Sequence, residues 1–594
     1  MKKRVADIVW ETVFERGIQQ CFAVVGGGAM HLDNALGLNT NIHKVFNHHE
    51  QACAMAAEAY ARISGNLAAV CVTSGPGGTN AITGVMGAWQ DSLPMLVISG
   101  QVRYTISIPA SGLPLRTRGI QEFDILGSVG NMTKYAKMIL DPLSIRMEVN
   151  KAIDIALSGR RGPVWLDIPM DVQSAVVEED DLYPNEEQPS ASMPGSTEIR
   201  AVLESLRNAK RPVLLAGNGI ANSNTLVAFR HFAEQLGIPV IGACIAADAM
   251  YADYDRYYGM SGSIGPRPGN FIVQNADVIL SLGCSLGYKM TGFAQEAFAP
   301  YAEIISVDID ENEMRKPGVR ISRLIHSDLA SFFDTAKPLL ERMPTDPDWI
   351  QYCDKLKARF SPFEPGRGLP ANERVCMYTF WEAFAQHEPE DSICVLGNNT
   401  LNSAKLQIGI QKPAQRIVAN NNCGSMGADL PEAIGAAVAT GKTIYCITGD
   451  GSIMMNLQEL QTIRQYDLPV KIVVCSNDGY NAICQTSKNF FHGYNVGCTP
   501  ETGVSFPPFA KVAETFGFEH RYCRNNAELD EALEWFFAAE GRVILELLQR
   551  LDDPVNPKVM SRMLPDGSFA TPALQDMAPF LERDEYDSYM LWNR

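Results

Sequence analysis

The chain has 594 residues, and its 50 Lys and Arg against 68 Asp and Glu give a net charge of −18. A hydrophobic fraction of 46% with 20% charged residues excludes intrinsic disorder and predicts large cores. Because the net negative charge repels phosphate backbones, it argues against nucleic-acid binding through a basic face. At roughly 150 residues per domain, the length predicts three to four domains.

The N-terminal segment has the pattern of an amphipathic helix. Its apolar residues recur at helical spacing: Val5, Ile8, Val9, Val13 and Phe14. Because no continuous apolar core follows the first basic residues, this segment is not predicted to be a signal peptide. No uninterrupted apolar run reaches the roughly 18 residues that a membrane span needs. These observations predict a soluble protein with no membrane partner.

The 14 cysteines indicate a reducing compartment. They are scattered from Cys21 to Cys523 and form no CxxC pair. This distribution is typical of reduced thiols that act as small hydrophobic residues, and it argues against a structural zinc site. We therefore expect a cytoplasmic location.

Two segments rich in turn-forming residues are predicted to be linkers: Tyr183–Ser196 and Ser361–Asn372. In each of the three blocks that they separate, short β-branched runs alternate with Gly-rich turns and helical patterns. Such alternation predicts an α/β fold in which each domain is a mainly parallel sheet flanked by helices. The predicted domains are 1–182, 197–345 and 372–555, followed by a C-terminal tail, 556–594.

Individual elements are clearest around the glycine-rich turns. Strands are predicted at five places: Ala68–Thr73, Pro212–Ala216, Val278–Leu282, Thr443–Thr448 and Val470–Cys475. Turns join two of these strands to helices: Ser74–Gly78 leads to Thr79–Trp89, and Gly449–Gly451 leads to Met455–Gln465.

The turn at Gly449–Gly451 and the later Asn477 carry the clearest chemistry. Asp450 and Asn477 are separated by one strand-turn-helix-strand unit, so both are predicted at the carboxyl ends of adjacent parallel strands. A carboxylate, an amide oxygen and a nearby backbone carbonyl are hard ligands suited to Mg²⁺ beside phosphates. The helix after this turn offers free backbone N–H groups to a phosphate. The alternative is a tight turn without a ligand.

The last block resembles the thiamine-diphosphate enzymes, and within them the acetolactate synthase-like group. The match covers nearly the whole chain and includes Gly449–Asp478 and Cys423–Ala437. It implies thiamine diphosphate and Mg²⁺ as cofactors, with the metal held by Asp450, Asn477 and the carbonyl of Gly479. Met426 is implied to hold the cofactor in its bent shape. Further cofactor contacts are implied for these residues: Asn398, Asn399, Thr400, Gly424, Ser425, Gly449, Gly451, Ser452 and Tyr480.

In the first block the resemblance includes Val72–Val102 and Glu50 with the small-residue helix that follows it. A carboxyl group bonded to the pyrimidine nitrogen of thiamine diphosphate favours the imino tautomer, whose nitrogen removes the thiazolium proton. Glu50 is implied to be that catalytic group and a cofactor contact; the alternative is a surface glutamate at a helix start. Gly28, in Phe22–Ala29, is implied to lie beside the reacting carbon, and Gln121 to face the substrate.

Several departures from the family lie where an acceptor would bind. Lys289 replaces the Arg that grips the carboxylate of a second 2-oxo acid, and Lys cannot make that bidentate contact. Thr486 aligns with the substrate-discriminating Trp, and Ile120 with the Phe before Gln121. In the loop from Gly397 to Thr400, Asn residues replace the family's Gln and His. The residues implied to act on the donor 2-oxo acid therefore match the family, whereas those implied to bind the acceptor differ from it.

The middle block resembles the flavin-carrying domain of the same group. The similarity rests on Gly217–Gly219, Gly259–Met260 and Val307–Asp310. FAD binding is therefore an open prediction, beside a domain that keeps the fold and binds nothing. Gly217–Asn222 lacks the third glycine of GxGxxG, which argues against an NAD-dependent oxidoreductase.

The resemblance implies an enzyme that decarboxylates pyruvate or a similar 2-oxo acid and transfers the acyl carbanion to a carbonyl acceptor. Gly26–Gly37 and the tail segment Leu564–Leu581 are similar to members that act on nucleotide-linked keto-deoxysugars. One alternative is an acetolactate synthase that condenses two 2-oxo acids; another is an inactive binding or regulatory homologue. The resemblance also implies a homodimer or homotetramer with active sites between subunits and a tail near the active site.

Overall fold

The computed structural model describes residues 1–186, 195–563, 566 and 569–592. Three six-stranded parallel sheets, each flanked by helices, confirm the predicted α/β class with three domains. Parts of the predicted linker Tyr183–Ser196 and of the tail segment Leu564–Leu581 lie outside the described residues. Within the described ranges, no helix is both long and apolar enough to cross a membrane.

The first sheet has its strands in the spatial order 2-1-3-4-6-5, counted along the chain. Its strands are Gln20–Ala23, His43–Phe46, Ala68–Val72, Met95–Gln101, Tyr135–Met138 and Pro163–Pro169. The helices of this domain are Val5–Glu15, Met30–Leu38, Glu50–Ser64, Pro76–Gln90, Ile108–Ser111, Ile125–Val129, Ile145–Leu157 and Met170–Ser174. A short antiparallel pair, Lys2–Arg4 with Val176–Glu178, ties the N-terminus to the end of the domain.

The middle sheet has the order 3-2-1-4-5-6. Its strands are Pro212–Ala216, Val240–Ala243, Tyr257–Ser261, Val278–Leu282, Glu303–Asp308 and Arg323–His326. The helices are Ser196–Asn208, Gly219–Asn222, Leu226–Leu236, Arg267–Asn275, Tyr288–Thr291, Glu311–Arg315, Leu329–Ala336 and Pro347–Arg359. This order is the one that many dinucleotide-binding domains share.

The third sheet repeats the order of the first, 2-1-3-4-6-5. Its strands are Ile393–Leu396, Arg416–Val418, Ile444–Gly449, Val470–Ser476, Glu519–Cys523 and Val543–Leu548. The helices are Met377–His387, Thr400–Ile408, Asp429–Thr440, Asp450–Ile453, Glu459–Gln465, Asn481–Phe490, Phe509–Phe516 and Leu529–Ala538. In the tail, Arg562–Met563 pairs with Phe569–Ala570, and a helix spans Arg583–Ser588.

All five predicted strands are present, with ends that differ by at most one residue. The predicted helix starts are wrong at two places. The first-domain helix begins at Pro76 because Gly75, with φ +59°, completes the turn and proline suits the first helical position. In the third domain, residues of the predicted turn form the short helix Asp450–Ile453, and the next helix begins only at Glu459.

The first and third domains meet through two helices rich in small residues, Glu50–Ser64 and Asp429–Thr440. A Cβ atom on Gly435 would lie 2.0 Å from the carbonyl oxygen of Ala56. Only glycine therefore allows the two backbones to approach so closely. The adjacent ion pairs are buried: Arg62 lies 2.9 Å from Glu58 and 2.5 Å from Asp91.

The C-terminal tail lies mainly on the middle domain. Asn270 Nδ2 donates to the Leu574 carbonyl at 3.0 Å, and Asn275 Nδ2 donates to the Tyr589 carbonyl at 3.1 Å. At the start of the tail, Lys558 Nζ donates to Gln485 Oε1 at 3.1 Å. The beginning of the tail therefore contacts helix Asn481–Phe490, while its end covers the middle domain.

Candidate cofactor and active site

The strand order places one crevice at the carboxyl ends of the strands in the first sheet and another in the third sheet. In each sheet, strands 1 and 3 are neighbours. The chain goes from strand 1 to strand 2 on one side and from strand 3 to strand 4 on the other side. Open α/β sheets bind ligands at such a point. In the third sheet, Gly397–Thr400 and Gly449–Ser452 follow these two strands. In the first sheet, Val24–Gly28 and Thr73–Gly78 do so. The loops that line these two crevices therefore contain half of the predicted site residues.

Asp450 and Asn477 lie together at the ends of neighbouring strands, as their spacing predicts. Residue Gly449 is in register with Cys475, so the loops after both strands begin side by side. Asp450 is buried, and its Oδ2 accepts from the backbone N–H groups of Asn477 at 2.9 Å and Asp478 at 2.8 Å. Its Oδ1 accepts from the Gly451 N–H at 2.8 Å. Three backbone donors thus orient this carboxylate.

The donors around Asp450 fit a hard divalent cation. Burial raises the pKa of Asp450 to about 7, and a bound cation would hold the carboxyl group ionised. Asn477 Oδ1 is close to the chain at Gly479, whose N–H donates to it at 3.2 Å. The described residues contain no cluster of three His, Cys, Asp or Glu side chains suited to a metal. A metal here would therefore need amide, carbonyl and phosphate oxygens besides Asp450, which is the coordination that Mg²⁺ accepts.

Met426 and Tyr480 both crowd the glycine that follows Asp450. A Cβ on Gly451 would lie 2.2 Å from the Tyr480 ring and 3.3 Å from Met426 Cε. The Met426 loop is fixed from both sides, because the Gly427 N–H donates to Ser452 Oγ at 2.9 Å and the Gly424 carbonyl accepts from Asn398 Nδ2 at 2.6 Å. The residues implied to contact the diphosphate and Met426, which is implied to hold the cofactor in its bent shape, therefore form one group.

The loop Gly397–Thr400 contributes an unsatisfied hydroxyl. Asn399 uses its side chain locally: Oδ1 accepts from the Asn402 N–H at 3.0 Å, and Nδ2 donates to the Ile447 carbonyl at 3.1 Å. Thr400 Oγ1, in contrast, is buried and has no hydrogen-bond partner among the described residues. A buried hydroxyl without a partner is costly, so a phosphate oxygen at this helix N-terminus would fit it.

Glu50 is buried at the start of helix Glu50–Ser64, with 9% of its surface exposed, so it is not a surface glutamate. Its Oε2 accepts from Asn80 Nδ2 at 3.0 Å. Its Oε1 lies 3.6 Å from where a Cβ on Gly77 would stand. The preceding His49 caps the helix by accepting from the Gln51 N–H at 3.1 Å. The carboxyl group is therefore held at the first-domain crevice.

Gly28 and Gln121 both contact the turn Thr73–Gly78, which lies next to Glu50. The Gly28 N–H donates to Thr73 Oγ1 at 3.0 Å. Gln121 has a positive φ of 59°, and a Cβ on Gly75 would lie 2.3 Å from its carbonyl oxygen. The Gln121 side chain is exposed, as is Ile120, at 86%. The three predicted catalytic residues thus surround the same short turn.

Residues next to the two groups of predicted site residues are in contact within one chain. Asn456 Nδ2 donates to Gln51 Oε1 at 3.0 Å and to the Gly427 carbonyl at 2.8 Å. The buried Glu459 accepts from Asn47 Nδ2 at 2.9 Å and from the His48 N–H at 3.0 Å. The neighbours of Glu50 therefore contact the segment after Asp450, and Asn456 of that segment links Gln51 to the Met426 loop.

These contacts identify residues that the sequence analysis missed. Asn456 and Glu459 follow the Gly449–Gly451 turn, and Asn420 Nδ2 donates to Glu58 Oε2 at 3.0 Å across the same domain interface. The run of three asparagines at 420–422, next to the implied cofactor segment, is the signal that could have drawn attention to this loop.

Lys289 and Thr486, the two altered acceptor positions, are both exposed. Lys289 Nζ donates to the backbone carbonyl of Asn421, which leads into the Met426 loop. Thr486 Oγ1 donates back to the Ala482 carbonyl of its own helix at 3.0 Å. The ammonium group of Lys289 is therefore already used in a contact between domains.

The Gly217–Gly219 loop follows the first strand of the middle sheet, at the crevice of that sheet. The Gly217 N–H donates to the Leu282 carbonyl at 2.9 Å, and the Gly219 N–H to the Gly283 carbonyl at 3.0 Å. Asp310, at the end of the predicted Val307–Asp310 segment, is paired with Arg160 of the first domain at 3.1 Å. These backbone and side-chain groups are thus already hydrogen-bonded or ion-paired within the chain. FAD binding stays a prediction.

Comparison with family models matches all three domains. The models are described as thiamine pyrophosphate enzyme domains: the N-terminal TPP binding domain over 3–126, the central domain over 199–332 and the C-terminal TPP binding domain over 396–547. The thiamine pyrophosphate of these descriptions is thiamine diphosphate.

Curated relatives match over most of their length. Acetolactate synthase isozyme 2 large subunit of Escherichia coli (strain K12) is 31% identical, over 90% of this chain and 93% of that protein. Isozyme 1 large subunit of the same organism is 31% identical over 95% and 96%. The chloroplastic acetolactate synthase of Arabidopsis thaliana is 29% identical over 94% and 83%. The chain therefore belongs to the thiamine pyrophosphate enzyme family, among the C–C bond-forming acetolactate synthase-like members.

Proposed function

We propose that the protein decarboxylates pyruvate or a similar 2-oxo acid and transfers the acyl unit to a carbonyl acceptor. The observation that carries this proposal is the geometry of the two crevices: three backbone N–H groups orient the Asp450 carboxylate in the third domain, and Glu50 is buried in the first. Asp450 and Asn477 would hold Mg²⁺ and, through it, the diphosphate of thiamine diphosphate. When bound, this cofactor supplies the electron sink for decarboxylation.

The role of Glu50 is to hold a proton at the pyrimidine end of the cofactor. Its carboxyl group is buried, and Asn80 fixes one of its oxygens. The other oxygen lies near Gly77, 3.6 Å from where a Cβ atom on that glycine would stand. Glu50 is therefore placed to donate a hydrogen bond to a ring nitrogen and so promote its tautomer change.

Replacing Glu50 by Gln is expected to lower the rate of pyruvate decarboxylation by about 10²- to 10⁴-fold, the usual contribution of a general acid or base. The amide keeps the size of the side chain but cannot transfer the proton. Cofactor affinity, measured by calorimetry with Mg²⁺ present, should change much less than the rate. Glu58→Gln is unsuitable as a control because Glu58 is paired with Arg62; the exposed Glu534→Gln should leave the rate unchanged. A Glu50→Gln protein with wild-type activity would remove Glu50 from the mechanism.

The acceptor is proposed to be a carbonyl compound without a carboxylate beside the carbonyl, such as a keto-deoxysugar linked to a nucleotide. Support comes from Lys289 and Thr486, which replace the family's carboxylate-gripping Arg and its Trp. Condensation of two 2-oxo acids is the second candidate function, because the curated relatives are named acetolactate synthases. An inactive regulatory homologue is disfavoured by the intact Glu50, Asp450 and Asn477. A cytoplasmic location stays a prediction that rests on the free cysteines.

A homodimer or homotetramer with active sites between subunits is also part of the proposal. It is supported by the resemblance and by large apolar side chains that are exposed on the segments beside the site: Leu113, Ile120, Phe491, Tyr494 and Val496. A site built within one chain is the alternative, because Gln51 already contacts Asn456 in the same chain.

Mixing two inactive variants distinguishes these arrangements. If Glu50 of one subunit works with Asp450 of another, mixed dimers of Glu50→Gln and Asp450→Ala subunits contain one intact site and should recover activity. Subunit exchange must be verified by mass spectrometry of the native assembly. No recovery after verified exchange would show that both groups act within one chain.

A further inference from the structure

Asp429 is a fully buried carboxyl group inside the Cys423–Ala437 segment, outside the set of implied cofactor contacts. Its Oδ2 accepts from Thr448 Oγ1 at 2.8 Å and from Ser452 Oγ at 2.5 Å. Its Oδ1 accepts from the N–H of Leu430 at 2.9 Å. Burial raises the pKa of Asp429, so the surrounding donors have to compensate for a costly placement.

The hydroxyl partners of Asp429 belong to the segments that would bind the cofactor. Thr448 is in the last strand before Asp450, and Ser452 follows Asp450 in the short helix. Ser452 Oγ in turn accepts from the Gly427 N–H at 2.9 Å, next to Met426. One carboxylate thus connects the metal segment with the loop that would bend the cofactor.

The loop at Gly397 meets the same oxygen. A Cβ on Gly397 would lie 2.4 Å from Asp429 Oδ2, so this position requires glycine while the carboxylate is present. The Gly397 N–H donates to the Ile447 carbonyl at 2.9 Å, which fixes the loop against the strand that ends at Gly449. Three separate cofactor segments therefore converge on one buried side chain.

We propose that Asp429 is a positioning residue that sets the spacing of the Gly397, Met426 and Asp450 segments for thiamine diphosphate. This inference rests on the proposed function. Asp429 acts through Thr448 and Ser452 and touches neither metal nor cofactor. Without its carboxylate, both hydroxyls lose a shared acceptor, and the Ser452 bridge to Gly427 is no longer held in place.

The test is to replace Asp429 by Ala and to measure thiamine diphosphate binding by calorimetry at saturating Mg²⁺. We expect the dissociation constant to rise at least about tenfold, comparable to the loss of one hydrogen bond to a charged group. The KM for the cofactor should rise similarly, whereas kcat at saturating cofactor should change less. The near-ultraviolet circular dichroism of the bound cofactor should also change, because the loop that supports its bent shape has moved.

Thr448→Val is the milder variant, since it removes one hydroxyl and keeps the volume of the side chain. It should weaken cofactor binding less than Asp429→Ala, and the double variant should be no weaker than Asp429→Ala alone, because both changes break the same contact. An unchanged dissociation constant in Thr448→Val would overturn the proposal even if Asp429→Ala did not fold. Where all variants fold, a double variant that binds the cofactor more weakly than Asp429→Ala would overturn it as well.

Asp167→Asn is the matched control. Asp167 is also buried, and its Oδ1 accepts from Ser99 Oγ at 2.6 Å, but it lies in the first sheet. Its loss should lower the melting temperature without weakening cofactor binding. An equal loss of affinity in this control, or wild-type affinity in Asp429→Ala, would overturn the positioning role. A wild-type protein that fails to bind thiamine diphosphate with Mg²⁺ would instead overturn the proposed function.

Discussion

Replacing Asp450 by Ala is expected to abolish retention of thiamine diphosphate. Both carboxylate oxygens are oriented by backbone N–H groups at the crevice, and Asp450 is the only acidic ligand proposed for the metal. Because the diphosphate would bind the protein through the proposed metal, loss of this ligand should weaken binding by at least about a hundredfold. Even outer-shell partners of metal ligands contribute roughly 10- to 100-fold. The measurement is calorimetry of the apo-protein with thiamine diphosphate, with and without Mg²⁺.

The matched control is Asp530→Ala, an exposed aspartate on another helix of the same domain, which should bind the cofactor normally. Wild-type protein should bind thiamine diphosphate tightly only when a divalent cation is present. Equal affinity with and without Mg²⁺ in the wild type would contradict the metal assignment, whatever the variant does.

The position of Asp450 could be predicted because it depends on local rules. A strand, a glycine turn and a second strand after one helix place Asp450 and Asn477 at the same edge of a parallel sheet. The class of fold follows from the same alternation of strands and helices. Glu50 is implied by the family resemblance, and the small-residue helix behind it favours a buried position, which the structure has.

The remaining contacts depend on how distant segments pack. Asp429 meets Thr448 and Gly397 only because three loops converge beneath the crevice, and no spacing along the chain expresses that convergence. Asn456 meets Gln51 only when the first and third domains have docked. The first-domain helix begins earlier than its apolar periodicity predicts, because Gly75 adopts a positive φ and Pro76 suits the first helical position.

Lys289 offers a point charge where a carboxylate-gripping Arg would present a bidentate fork, and its ammonium group already donates to the Asn421 carbonyl. Thr486 is small and exposed on helix Asn481–Phe490. Under the proposed acceptor site, a second 2-oxo acid would lose a bidentate contact here, whereas an aldehyde or a sugar-borne ketone would not. The two substitutions favour an acceptor that is larger and has no carboxylate at the reacting carbonyl.

With pyruvate as donor, we expect such an acceptor to outcompete a second pyruvate by at least about tenfold. A charge-assisted bidentate contact contributes roughly 10- to 150-fold in specificity, and tenfold is the low end of that range. The measurement is a competition assay in which mass spectrometry quantifies acetolactate and the cross-product. Lys289→Arg is the informative variant: restoring the guanidinium should raise the share of acetolactate, while Lys289→Met should not. Acetolactate as the main product with every acceptor supplied would contradict this prediction, and the protein would then be assigned as an acetolactate synthase.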